Sequence, residues 1–151
     1  MKTLIIYYSN YKGHTKMIAE AMAEVIGADL IKAEEFNHDI SGYDLIGFGS
    51  GVYNQNQHPL IFESIEHLNL MNKNVFVFST SSAGIDMYNK KITDLLKSKG
   101  ANVKGSFSCK GFYTNNFIKI IGGVSKGHPD NNDLTNAQDF VKKLNIESLQ
   151  K

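Results

Sequence analysis

Alternation between short apolar runs and amphipathic helical patterns is the feature of this sequence that most constrains its fold. Thr3–Tyr8 and Asn74–Ser79 are continuous apolar runs, which is typical of strands buried on both faces of a sheet. Three further strands are predicted at Ala28–Lys32, Tyr43–Gly49 and Val103–Cys109. Because helical patterns separate these strands, the sequence predicts an α/β fold: a doubly wound, five-stranded parallel sheet with helices on both faces and right-handed crossovers.

Four amphipathic helices are predicted around these strands. The first ends at Gly27, the second begins at Pro59, the third ends at Gly100 and the fourth begins near Asp130–Asp133. Their apolar stripes are Met17, Ile18, Ala21, Met22, Val25 and Ile26; Leu60, Ile61, Ile65 and Leu68; Ile85, Tyr88, Ile92, Leu95 and Leu96; and Leu134, Ala137, Phe140, Val141 and Leu144. A length of 151 residues predicts one domain, residues 1–151.

Composition excludes several classes of function. The chain has 16 Lys, no Arg and 15 acidic residues, so its net charge of +1 does not favour a nucleic-acid binder, and arginine clamps are excluded. A single cysteine, Cys109, rules out an internal disulfide and a thiolate zinc site, and we interpret it as a small buried side chain. The N-terminus does not resemble a signal peptide and no apolar run is long enough to span a bilayer, so a cytoplasmic protein is expected.

Four polar loops follow predicted strands: Ser9–Thr15, Ser50–His58, Ser79–Gly84 and Lys110–Asn116. They are rich in Ser, Thr, Asn, Gly and Tyr and poor in acidic residues. In open parallel sheets, ligands bind beyond the carboxyl ends of the strands. The sequence therefore predicts a ligand site there. The longer Gly-rich segment Lys110–Pro129, with no predicted element, is a candidate functional loop.

The first of these loops has the properties of a phosphate site. It leads from a buried strand into a helix whose N-terminal N–H groups favour an anion. Gly13 permits close approach of the backbone, Ser9, Asn10 and Thr15 supply hydrogen-bond donors, and Lys12 supplies charge. The alternative is an ordinary capped turn between a strand and a helix.

Three motifs resemble those of the flavodoxin family. SNYKGHT is similar to the family's phosphate loop, T-x-T-G-x-T, and GFGSGVY (Gly47–Tyr53) resembles its third-strand loop, which ends in a flavin-stacking aromatic residue. VFVFSTSSAG (Val75–Gly84) resembles the fourth-strand loop that contacts the other edge of the flavin. The resemblance implies strand order 2-1-3-4-5 and FMN as the cofactor.

It also implies a set of cofactor-binding residues. The phosphate loop contributes Ser9, Asn10, Tyr11, Lys12, Gly13, His14 and Thr15; the flavin contacts come from Ser50, Gly51, Val52, Tyr53 and Asn54, and from Thr80, Ser81, Ser82, Ala83 and Gly84. Tyr53 is the candidate stacking residue, the alternative being an ordinary loop tyrosine. Asn54 is either a residue with positive φ where the peptide bond can flip so that its carbonyl accepts a hydrogen bond from the flavin, or a simple turn residue. Ala83, Ile85, Met87 or Phe112 would cover the second flavin face.

Structural interpretations are favoured for most remaining residues. The five histidines, His14, His38, His58, His67 and His128, have no metal-ligand spacing, so no metal is expected. His14 either touches phosphate or is a simple surface residue, and His58 is either a helix cap that faces the ligand mouth or a simple surface residue. Lys90, Lys91, Lys97 and Lys99 are interpreted as a solvated helix face, and Asp130–Asp133 as a helix cap. Ile118, Ile120 and Ile121 would form either a lid or a docking surface.

Three functions remain at this stage. The first is an FMN electron carrier, monomeric or weakly oligomeric, between redox protein partners. The second is an FMN-dependent reductase or oxidase of a small molecule such as a quinone or a porphyrinogen. A phosphoacceptor receiver domain is disfavoured, because strands one and three end in Tyr8-Ser9 and Gly49-Ser50 rather than in clustered Asp. The absence of acids between Gly47 and Pro59 predicts a less negative second flavin potential than in acidic flavodoxins.

Overall fold

The structure, a computed structural model, describes residues 1–10, 12–111 and 127–149. Its strands are β1 (Thr3–Tyr8), β2 (Asp29–Lys32), β3 (Leu45–Tyr53), β4 (Asn56–Gln57), β5 (Asn74–Ser81) and β6 (Asn102–Lys110). Its helices are α1 (His14–Ile26), α2 (Pro59–Glu66), α3 (Lys90–Ser98) and α4 (Asn131–Leu149), with short 3₁₀ turns at Ala33–Glu35 and Asp86–Asn89. The predicted alternation of strand and helix is confirmed.

Five parallel strands form the sheet in the order β2-β1-β3-β5-β6. Since β5 and β6 are the fourth and fifth predicted strands, the expected order 2-1-3-4-5 is confirmed. The short β4 is an addition that the sequence pattern did not predict; it pairs antiparallel with the end of β3. The carboxyl ends of β1, β3 and β5 lie side by side, with Tyr8 opposite Ser50 and Ser50 opposite Ser79.

Side chains alternate between two core layers along each strand. On one face, Leu4 and Ile6 pack with the residues of α2 and α3, including Ile61 and Ile92. On the other face, Ile5 and Tyr7 pack with α1 and α4. The period of two along a strand therefore explains why the central runs are apolar throughout.

Two glycines of β3 adjust its packing against β5. A Cβ on Gly47 would lie 2.3 Å from the Phe76 ring, and one on Gly49 would lie 2.3 Å from the Phe78 ring. The two phenylalanine rings thus occupy the space above the glycines. On this face of the core, the phenylalanine side chains of β5 fill the space above β3, because Gly47 and Gly49 have no side chains.

Three local features differ from the predicted pattern. β3 continues to Tyr53 rather than ending at Gly49, because β4 pairs with its last residues. The third predicted helix begins as the 3₁₀ turn Asp86–Asn89 before α3. Lys99 is not a simple solvated residue: its Nζ donates hydrogen bonds to the carbonyls of Glu66 and Leu68, at the end of α2.

None of the helices in the part of the chain that the structure describes has the length and apolar character needed to span a bilayer.

Candidate functional site

A cavity of about 370 Å³ lies at the carboxyl edge of the sheet. It is lined by residues from five segments: Asn10, His14, Thr15, Gly51, Val52, Tyr53, Gln55, Thr80, Ser81, Ser82, Tyr88 and Gly111. Its volume is within the usual range for small-molecule and cofactor sites. The position matches the prediction for an open parallel sheet, where ligands bind beyond the strand ends.

The loop between β1 and α1 forms one end of this cavity. The side chain of Asn10 accepts a hydrogen bond from the Lys12 backbone N–H at 3.0 Å, and Gly13 N–H donates to the Asn10 carbonyl at 3.0 Å. Gly13 is the N-cap residue of α1 with φ 74°, and a Cβ there would meet no atom of the described residues within 4 Å. The first turn of α1 carries no acidic residue. The arrangement is therefore an open helix N-terminus suited to an anion.

The second residue of α1 connects this loop to the carboxyl end of β5. The hydroxyl of Thr15 is buried and lies 2.9 Å from the hydroxyl of Thr80. Ser9 accepts a hydrogen bond from the Lys16 backbone N–H at 3.2 Å. These bonds hold the start of α1 against the sheet edge.

An aromatic cluster forms the wall on the β3 side. Tyr53 meets Tyr8 edge-on with ring centroids 5.9 Å apart, and Tyr8 stacks on His58 at 3.7 Å. The side chain of His58 also accepts a hydrogen bond from Leu60 N–H at 3.1 Å, which confirms its predicted role as a helix cap. Burial raises the pKa of Tyr53, to which the neighbouring Tyr8 adds, so its hydroxyl is neutral. Tyr53 is therefore a half-buried residue that packs against the rings of Tyr8 and His58 and also lines the cavity.

Beyond Tyr53 the chain reverses in a two-residue turn. Asn54 and Gln55 have φ of 51° and 66°, and Tyr53 pairs with Asn56 across the turn. Two consecutive residues with positive φ are characteristic of a type I′ hairpin. The positive φ expected at Asn54 is confirmed, and Gln55 shares it.

Burial lowers the pKa of two histidines at this edge. For His14, which lines the cavity, the main cause is desolvation and the second is the positive charge of Lys12. For His58, desolvation lowers the pKa and Glu34 partly opposes it. The apoprotein therefore favours neutral histidines at this edge.

Most of the residues singled out in the sequence converge at the cavity, and some do not line it. Those that line it are Asn10, His14, Thr15, Gly51, Val52, Tyr53, Thr80, Ser81 and Ser82. Among the described residues that do not line it, those in the same loops are Ser9, Lys12, Gly13, Ser50, Asn54, Ala83 and Gly84. Ile85 and Met87, named as candidates to cover the second flavin face, are exposed and do not line the cavity either. Tyr11, Phe112, Ile118, Ile120 and Ile121 lie outside the described residues, as does the greater part of Lys110–Pro129.

Ser50 and Ser81 have structural hydrogen bonds within these loops. The fully buried hydroxyl of Ser50 donates to the Gly51 carbonyl and accepts from His58 N–H at 2.9 Å. The Ser81 hydroxyl accepts from Gly84 N–H at 2.8 Å, and the Ser81 carbonyl accepts from Gly111 N–H at 2.9 Å. They fix the shape of the two loops.

Three lining residues were not predicted as part of a site: Gln55, Tyr88 and Gly111. Tyr88 was assigned to the apolar stripe of a helix, but the 3₁₀ turn directs it to the cavity edge. Gln55 belongs to Ser50–His58, which the strand-end argument had selected, and Asn54-Gln55 could also have been recognised as the two-residue turn of a hairpin. Gly111 belongs to a loop that the strand-end argument had selected.

Two other groups considered in the sequence, Cys109 and the residues at the start of α4, have contacts that serve the fold. Cys109 is buried, and burial raises the pKa of its thiol to about 12, which agrees with the predicted small buried side chain. Ligand atoms of His128, Asp130 and Asp133 lie within 4.8 Å of one another. The carboxylates of Asp130 and Asp133 accept each other's backbone N–H at 2.9 Å, which confirms the predicted helix cap at the start of α4.

Sequence comparison establishes the family. A family model described as the flavodoxin domain matches residues 4–112, which is more than half of the chain. This chain therefore belongs to the flavodoxin domain family. It is also 39% identical over 147 residues to an uncharacterized protein of Methanocaldococcus jannaschii, covering 95% of this chain and 98% of that one.

Solved structures of low sequence identity share the fold. A flavodoxin from the domain Archaea superposes with a TM-score of 0.76 at 17% identity, covering 98% of this chain and 99% of that one. A Fusobacterium nucleatum flavodoxin bound to flavin mononucleotide has a TM-score of 0.70 at 15% identity, covering 97% and 99%. The rubredoxin oxygen:oxidoreductase of Desulfovibrio gigas has a TM-score of 0.72 at 16% identity; the match covers 99% of this chain and 37% of that one.

Proposed function

We propose that this chain binds FMN and carries electrons between redox proteins. The observation that carries the proposal is that one cavity contains both the N-terminus of α1, whose first turn has no acidic residue, and the aromatic ring of Tyr53, which packs on Tyr8. FMN needs both, because it joins a phosphate to an apolar ring system. Membership of the flavodoxin domain family and the FMN-bound flavodoxin of similar fold support the assignment.

The described residues offer a separate binding place for each part of FMN, the phosphate and the ring system. Gly13 leaves open space at the start of α1, so its backbone and that of the next residues would bind the phosphate. Tyr53, supported by Tyr8, would stack on the ring system of FMN. Tyr88, which lines the same cavity, would contact the bound FMN as well. When bound, FMN would supply one- or two-electron redox chemistry, while these residues orient it and exclude water.

A second candidate is an FMN-dependent oxidoreductase of a small molecule. A groove of about 390 Å³ adjoins the cavity and shares Tyr53 with it. Its lining includes Pro59 and Phe62 together with Glu63 and Lys91. Such a groove next to the cofactor would accept a small apolar substrate, whereas a shuttle needs only an exposed cofactor edge.

The deciding experiment is a titration of the purified protein with FMN and with riboflavin, followed by anaerobic stepwise reduction. We expect quenched flavin fluorescence, micromolar or tighter FMN affinity, weaker riboflavin affinity and a one-electron stage in the reduction. Direct two-electron bleaching, with reoxidation that depends on a particular quinone, would favour the oxidoreductase. A protein that binds neither flavin would contradict both candidates.

A further inference from the structure

Two buried carboxamide side chains connect two of the segments that line the cavity. Gln57 and Asn89 are 2% and 1% exposed. The Gln57 Nε2 donates to the Asn89 Oδ1 at 3.1 Å and to the Phe78 carbonyl at 3.0 Å. Both partners are acceptors, so the orientation of the Gln57 amide is determined by its contacts.

Asn89 extends this connection to the edge strand of the sheet. Its Nδ2 lies 2.9 Å from the Ser106 hydroxyl, 3.2 Å from the Phe107 carbonyl and 3.2 Å from the Ser108 hydroxyl, all on β6. Ser106 in turn donates to the carboxylate of Asp86 at 2.6 Å. Asp86 and Asn89 begin and end the 3₁₀ turn that carries Tyr88, so these bonds hold both ends of that turn to β6.

The positions of the two amides relate them directly to the cavity. Gln57 pairs with Val52 across the β3–β4 hairpin, whose tip contributes Gln55 to one wall. Asn89 follows Tyr88, which contributes to another wall. Each amide thus lies one or two residues from a cavity-lining side chain on its own segment.

We propose that the Gln57–Asn89 pair is a positioning device that fixes the distance between the β3–β4 hairpin and the Tyr88 turn. The inference rests on the proposed function, because the object positioned between these segments is the flavin. Hydrogen bonds between buried amides are directional, so they hold two segments in one relative placement more strictly than apolar contacts of equal size. Gln57 and Asn89 contact neither the cavity nor the flavin in this role; they act through Gln55 and Tyr88.

Variants that remove the amides while keeping side-chain volume test the proposal. Gln57→Met and Asn89→Leu should each weaken FMN binding by about tenfold or more, because both lose the bond between the two amides. Gln57→Met also loses the bond to the Phe78 carbonyl, and Asn89→Leu also loses the contacts with β6. The double variant should lose less FMN affinity than the two single losses combined, because both changes break the shared bond between Gln57 and Asn89. Each should also change the visible circular dichroism of bound flavin and its midpoint potential.

Gln138→Met is the matched control. The Gln138 Nε2 donates to the Ala21 carbonyl at 3.2 Å, joining α4 to α1 away from the hairpin and the Tyr88 turn. This variant should lower the free energy of unfolding without changing the FMN dissociation constant, the flavin circular dichroism or the potential.

A measurement on the unmodified protein covers the case in which the variants do not fold. The side-chain amide signals of Gln57 and Asn89 in a ¹⁵N NMR spectrum should both shift when FMN is added, while that of Gln138 should not. Stationary Gln57 and Asn89 signals during saturating FMN addition would overturn the proposal. So would folded variants that lose stability but keep the FMN affinity and flavin circular dichroism of the wild type. A wild-type protein that binds no FMN would instead overturn the proposed function, and this inference with it.

Discussion

His14 combines a lowered pKa with a place in the candidate phosphate loop. Desolvation and Lys12 both disfavour its protonated form in the apoprotein. A phosphate dianion bound beside it would favour that form and raise its pKa. FMN binding is then coupled to proton uptake by this one side chain.

The FMN dissociation constant should therefore depend on pH between 7 and 8, where the phosphate is a dianion. The affinity should fall as pH rises, by at most about tenfold per pH unit for one coupled proton. Calorimetric titrations in buffers of different ionisation enthalpy would measure the uptake directly. His14→Gln should remove the dependence, and riboflavin, which lacks the phosphate, should not show it with either protein. An equal pH dependence for riboflavin would contradict the assignment.

Lowered histidine pKa values also predict the acid stability of the apoprotein. Because the folded-state pKa values of His14 and His58 lie below 6.5, the unfolded chain binds protons more readily near that pH. The histidine contribution to stability is present above pH 6.5 and is lost as pH falls below that value and through the lower folded-state pKa values of the two histidines.

Gln55 is the residue with the least favourable backbone conformation in the hairpin. Its φ of 66° is normal for glycine and rare for glutamine, whereas Asn54 tolerates positive φ better. Gln55→Gly should raise the free energy of unfolding of the apoprotein by about 1 kcal/mol. Urea denaturation would measure this.

Gln55→Ala is the control for that substitution, since it removes the same side chain and retains a Cβ at positive φ. We expect no gain in stability from it. Equal stabilisation by alanine and glycine would show that the side chain, and not the backbone conformation, is the source of the effect.

At the scale of the element, α1 offers a matched pair of glycines. Gly13 and Gly27 are its N-cap and C-cap residues, with φ of 74° and 65°. In the part of the chain that the structure describes, nothing lies within 4 Å of where a Cβ would stand at either position. The two ends of the helix therefore impose similar conformational demands and differ in their relation to the cavity.

Gly13→Ala and Gly27→Ala should each lower the free energy of unfolding by about 1 kcal/mol, because alanine is disfavoured at positive φ. Only Gly13→Ala should weaken FMN binding as well, since the phosphate would lie at that end of α1. Parallel denaturation and FMN titration of the two variants would separate the effects. Loss of FMN affinity in the Gly27 variant would indicate a general effect of destabilised α1.

At the scale of the whole molecule, the charge distribution would influence the reduction potential of a bound flavin. The net charge is +1, and the segments from Gly47 to Pro59 and from Ser79 to Ile85 contain no acid. Negative charge near a flavin disfavours its fully reduced anion and makes the second one-electron potential more negative. We therefore expect that potential to be less negative than in an acidic flavodoxin measured alongside.

Adding one acid at the cavity tests this expectation. Gln55→Glu should make the second potential more negative by tens of millivolts, and the shift should shrink at high salt because the position is exposed. Asn37→Asp is the control. Asn37 lies with Lys2 and Tyr43 at the start of β1, at the opposite edge of the sheet. Spectroelectrochemistry that gives the same shift for both variants would show that only net charge matters.

Much of the fold was predictable because its signals are local. Continuous apolar runs such as Thr3–Tyr8 identify strands buried on both faces. Glycine is common just after a helix, and Gly27 does end α1, with a φ of 65°. The strand order followed from resemblance to the flavodoxin family rather than from periodicity. The loops that meet at the cavity were also found from sequence, because they follow parallel strands.

What the sequence by itself determined is therefore the set of elements, their burial and the edge of the sheet at which a ligand site lies. Only the tertiary structure decided which side chains face that site. Tyr88 reaches it because its segment forms a 3₁₀ turn that Asn89 and Asp86 hold to β6. Gln57 and Asn89 are 32 residues apart in the sequence, so no local sequence pattern predicts the hydrogen bond between them. Apolar burial depends on the identity of each residue, whereas a hydrogen bond between two buried amides depends on where the whole chain has placed them.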